Sequence, residues 1–67
     1  MGKIHSRIFE IGDERFLFTE NPNHRYNAIC AKFRLMRYDD IFGWMTINYP
    51  RNITEAKQMA KQYLIYS

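Results

Sequence analysis

The chain has 67 residues, 46% of them hydrophobic and 25% charged, with a formal net charge of +3, which leaves room for one small domain spanning 1–67. Its apolar content is that of a folding chain rather than a disordered one. No stretch reaches the ~18 consecutive apolar residues of a membrane span, Lys3, His5 and Arg7 break up any apolar leader, and the single cysteine excludes an internal disulfide framework and fits a reducing, cytoplasmic setting.

The first segment in chain order is a hairpin. Gly12-Asp13-Glu14 separates two apolar, aromatic-rich runs, so strands are expected over 4–11 and 15–20. Asn21-Pro22-Asn23-His24 reads as a turn. The longest candidate strand follows over 26–37. In it Ile29, Ala31, Phe33 and Leu35 alternate with Tyr26, Ala28, Cys30, Lys32 and Arg34, which gives an inward and a solvent face. Tyr38-Asp39-Asp40 is the next turn. A fourth strand is expected over 41–49, with Ile41, Met45, Ile47 and Tyr49 on one face and Phe42, Trp44, Thr46 and Asn48 on the other; Pro50 ends it.

The last segment has helical periodicity. Asn52 can cap it, and Glu55 three positions on completes a variant of the capping box. Ile53, Ala56, Met59, Ala60, Tyr63 and Leu64 then form one apolar stripe, with Lys57, Gln58, Lys61 and Gln62 opposite. The expected fold is α+β: a four-stranded antiparallel sheet, β-β-β-β-α, with the C-terminal helix packed on one face. Four strands at ~4.8 Å spacing span roughly 15–20 Å, and a helix is ~10 Å wide. Part of the sheet must therefore curl or stay uncovered.

No catalytic set is evident. Cys30 sits among apolar residues as a structural thiol does, His5 and His24 have no motif around them, and no enzyme activity is expected. One cysteine and two distant histidines do not make a zinc site, so neither metal nor cofactor is expected. Asn52-Ile53-Thr54 matches a glycosylation sequon, but the capping role accounts for Asn52.

Two binding functions remain. Eleven aromatic residues (five Phe, five Tyr, one Trp) are many for this length, and such residues anchor protein interfaces. The first expectation is a protein that modulates or inhibits a larger macromolecular partner through Arg37, Tyr38, Phe42, Trp44 and Met45 on its sheet surface. Trp44 is expected to be partly exposed and a homodimer to form across any uncovered sheet. By analogy, small free-standing proteins of this kind often inhibit or adapt larger machines, some of them encoded by mobile elements. The second expectation rests on charge. Residues 21–38 carry Arg25, Lys32, Arg34 and Arg37 and no acid, whereas the flanking segments are near neutral. Tyr26, Lys32, Arg34 and Arg37 would then form a nucleic-acid-binding face.

Overall fold

The computed structural model describes residues 6–27 and 29–66. Residues 4 and 5 of the first expected strand, His5 among the candidate bases, and Ala28 of the third lie outside them.

Four strands form one antiparallel meander: β1 (Arg7–Ile11), β2 (Glu14–Glu20), β3 (Phe33–Asp39) and β4 (Gly43–Asn48), in that spatial order. A C-terminal helix, α1 (Ile53–Tyr66), packs on one side, so the α+β architecture expected from the sequence is the one observed. The first hairpin closes through Gly12-Asp13. Gly12 has φ 61°, and glycine is the residue that takes positive φ at the first central position of a tight turn without strain.

Residue parity divides the sheet. Phe9 pairs with Phe16, Phe16 with Arg37, Phe18 with Leu35 and Glu20 with Phe33, which places these side chains on the face toward α1. Phe16, Phe18, Leu35, Ala56 and Ala60 are buried, and Phe9, Ile11, Phe33, Ile47, Ile53, Met59, Tyr63 and Leu64 pack around them. The large side chains of this core come mainly from the strands. The helix contributes two alanines at its closest approach, so its backbone can settle directly on the phenylalanine rings of β2. Phe9 stacks on Phe16 with centroids 5.6 Å apart, and Phe18 tilts against Phe33 at 5.0 Å.

The helix start is built as its sequence requires. Asn52 Oδ1 accepts a hydrogen bond from the Glu55 amide at 2.9 Å. The Glu55 carboxylate reaches back to the Arg51 amide at 3.1 Å, one residue earlier than in the standard capping box.

Two expectations are corrected. The third strand does not begin at residue 26. Pro22–Arg25 form a turn of 3₁₀-helix capped by Asn21, and the chain reaches β3 only at Phe33. The reason is local side-chain chemistry. Buried Asn21 satisfies all its polar groups within the loop. Its Nδ2 donates to Ala31 O (2.9 Å), its Oδ1 accepts from Asn23 N (3.2 Å), its amide donates to Lys32 O (2.8 Å), and its carbonyl accepts from His24 N (3.0 Å). His24 Nδ1 donates to Cys30 O at 2.9 Å, and Asn27 Oδ1 accepts from Ile29 N at 3.0 Å. These bonds satisfy the backbone locally and compete with a ladder. Ile29, expected to point inward, is 93% exposed.

The second correction concerns the fourth strand, which starts at Gly43 rather than residue 41, and the turn before it, since Tyr38 and Asp39, expected in that turn, are the last residues of β3. The fourth strand also carries an irregularity, since Met36 pairs with Thr46 but Leu35 with Asn48. The inserted residue, Ile47, reaches the core, and Asn48 leaves the face it was expected to share with Trp44 and Thr46.

The close seat of α1 has a measurable consequence. Ala56→Leu should lower stability by about 1–3 kcal/mol through overpacking, although leucine favours helix as well as most residues do. Gln58→Leu on the exposed side should stay within about 0.5 kcal/mol. Urea denaturation of both variants checks this.

Candidate functional site: the uncovered face of the sheet

The strand residues of opposite parity lie on the face away from α1, and the register sets them in three cross-strand rows. Ile8, Leu17, Met36 and Thr46 form the middle row, one residue from each strand. On the side of the hairpin turns, Glu10 pairs with Arg15 and Tyr38 with Trp44. On the other side Thr19 pairs with Arg34, and the Ser6 and Thr19 hydroxyls are hydrogen-bonded at 2.9 Å. Ile8 is 62% exposed, and Leu17, Met36 and Trp44 are half-buried by their neighbours in the sheet. The middle of the face is apolar and its borders carry polar and charged groups.

The turn-side row is held in place. Tyr38 and Trp44 meet edge to face at 5.3 Å. The Arg15 guanidinium lies 5.7 Å from the centre of the Tyr38 ring, and its Nε is 3.7 Å from the Glu10 carboxylate. Beneath them the β3–β4 turn is tied by Asp39, whose Oδ2 accepts from the Ile41 and Phe42 amides, each at 2.9 Å. Gly43, with φ 78°, completes the reversal.

The partner-binding residues expected from the sequence do not all come together. Tyr38 and Trp44 meet on the uncovered face, as Trp44's expected partial exposure required. Phe42 is exposed on the turn beside them. Arg37 and Met45 pair with each other on the opposite face. There Arg37 Nη2 donates to Glu14 Oε1 at 2.7 Å, and its guanidinium lies 5.7 Å from the centre of the Tyr63 ring. The Glu14 hydrogen bond is the main reason its pKa is raised. Arg37 therefore ties the helix to the sheet. The expected nucleic-acid set is dispersed too. Tyr26 lies in the loop at 89% exposure, Lys32 sits over the Phe33 ring (5.5 Å), Arg34 is on the uncovered face and Arg37 is across the sheet from it.

Sequence reasoning missed Ile8, Leu17 and Met36. Their strict alternation with Phe9, Phe16, Phe18 and Leu35 was the available signal, but it reads equally well as a strand buried on both sides.

Among the described residues, no three His, Cys, Asp or Glu side chains cluster as a metal site would need, and no helix is long and apolar enough to cross a membrane. The chain matches no family model, no curated protein and no solved structure.

The Asp39 turn gives a pH signature. The two amide hydrogen bonds, that of Phe42 first, hold its carboxyl below the ordinary value of 3.8. A group whose pKa falls on folding stabilises the fold above its unfolded pKa, and that contribution disappears as pH drops through the folded value. Wild type should thus lose more stability than Asp39→Asn, which keeps an acceptor but no charge, on acidification from about pH 5 to about pH 3. Denaturant titrations at the two pH values check this.

Proposed function

We propose that this is a non-enzymatic, cytoplasmic binding protein that modulates or inhibits a larger protein partner through the uncovered face of its sheet. The observation that carries the reading is the middle row, Ile8-Leu17-Met36, flanked by the Tyr38–Trp44 pair and bordered by Glu10, Arg15 and Arg34. An apolar centre with aromatic anchors and a polar rim is the usual anatomy of a protein interface. The anchors are pre-ordered. The edge-to-face contact, the Arg15 contact and the Asp39 turn reduce the side-chain entropy lost on binding. Arg37 and Met45, on the helix side, have no part in it.

The test uses nuclease-treated extract of the native host. Wild-type protein should retain a partner that Met36→Glu, in the middle row, loses, whereas Gln62→Glu on the exposed helix surface retains it. Met36→Glu must keep the far-ultraviolet circular dichroism of wild type. Equal loss with both variants contradicts the proposal. So does sedimentation showing a wild-type dimer that Met36→Glu dissociates, because the face would then be closed by a second copy, the homodimer that the sequence also suggested, rather than by a different protein.

A further inference from the structure

The fold separates charge in a way that the linear sequence conceals. Both hairpin turns lie at one end of the sheet, together with Asp13, Glu14, Asp39 and Asp40, and the arginines nearest them are paired, Arg15 with Glu10 and Arg37 with Glu14. At the opposite end four separate stretches converge and bring five cations with them. The stretches are the start of β1 (Arg7), the capped loop (Arg25, Lys32), the start of β3 (Arg34) and the approach to α1 (Arg51). The Glu20–Phe33 pairing and the Asn21–Lys32 hydrogen bond place the loop and the start of β3 there, Arg7 pairs with Phe18, and Arg51 lines a cavity with Arg7. Among the described residues none of these five cations forms an ion pair. Two acids lie near them: Glu55, occupied with the Arg51 amide, and Glu20.

Two cavities open at this end. One, of about 280 Å³, brings together Arg7 and Arg51 with Ser6, Phe18, Asn52 and Ile53. The other, of about 230 Å³, brings together Arg25 and Arg34 with Thr19, Glu20 and Pro22, and the buried Arg34 Nε has no hydrogen-bond partner. Two exposed aromatic rings stand at the same end: Tyr26 on the capped loop is 89% exposed, and Tyr49, just past β4, lines a hollow with Asn21 and Asn23 and is 53% exposed.

We infer that this end of the molecule binds single-stranded nucleic acid, with the arginine pairs on phosphates and Tyr26 and Tyr49 available to unpaired bases. Guanidinium groups suit phosphate oxygens geometrically, and rings placed among cations are how proteins hold single strands without reading their sequence. An acidic protein would satisfy the charge but leave the two exposed rings without a role. The site meets the uncovered face at Arg34 but uses none of its apolar row, so Met36→Glu should leave strand binding unchanged and the two readings fail separately.

The experiment is fluorescence anisotropy with a labelled oligothymidylate. Binding should weaken steeply with salt, with a log–log slope of about −2.8 to −3.5 if four or five phosphates are neutralised on a single strand. Arg25→Gln combined with Arg34→Gln, and separately Arg7→Gln combined with Arg51→Gln, should each weaken it by about tenfold or more, and Tyr26→Ala by several-fold. Lys57→Gln combined with Lys61→Gln on the helix removes the same charge elsewhere and should change it less than about twofold. The inference is overturned if the strand does not bind at low salt, or if the helix variant loses as much as the arginine variants. It is overturned equally if a DNA duplex or vesicles of anionic phospholipid bind more tightly than the single strand.

Discussion

The seat of one helix on one strand governs the rest of the molecule. Ala56 and Ala60 are fully buried against a core in which Phe16 and Leu35 are also fully buried. Small residues on the helix and large ones on the sheet let the two layers approach closely, and this contact excludes water where so short a chain can best do so. A helix ~10 Å wide placed over the middle of four strands cannot also reach round to the other side. The sheet therefore has one face committed to folding and one face free of it.

That division assigns roles to residues of one chemical type. Arg15, Arg34 and Arg37 are all arginines on neighbouring strands, yet they do three different things. Arg37 clamps the helix through Glu14 and the Tyr63 ring. Arg15 steadies Tyr38 on the uncovered face, and Arg34 sits at the basic end with an unpartnered Nε. Their difference comes from strand parity and from position along the strand. The buried amide of Asn21 acts likewise at a distance from any interface: by fixing the loop it sets where Arg25, Tyr26 and Lys32 stand.

The helix was legible in the sequence because two signals agreed, a capping residue and an apolar stripe at a spacing of three and four. The first hairpin was legible from Gly12-Asp13. The loop over 21–32 was misread in part because Ile29, Cys30 and Ala31 imitate a strand, while the outcome depends on side-chain amides of Asn21 and Asn27 capturing backbone groups. The irregularity at Ile47 left no mark in the pattern, because an extra apolar residue in an apolar strand looks like its continuation. The candidate site was half legible. Tyr38 and Trp44 were found from residue type, but separating them from Arg37 and Met45 requires the register of β3 against β4. The basic end was legible in part: Arg25, Lys32 and Arg34 share one acid-free segment, but Arg7 and Arg51 join them, and Arg37 leaves them, only through the fold.

The division of the sheet into a folding face and a free face requires that Leu17 and Met36 face solvent while Phe18 and Leu35 do not. Nuclear magnetic resonance of the methyl groups with a soluble gadolinium chelate measures this directly. Relaxation enhancement should be strong for Ile8 and Met36, intermediate for Leu17 and almost absent for Leu35. Protection of Met36 and Leu17 as complete as that of Leu35 in dilute solution would contradict that division.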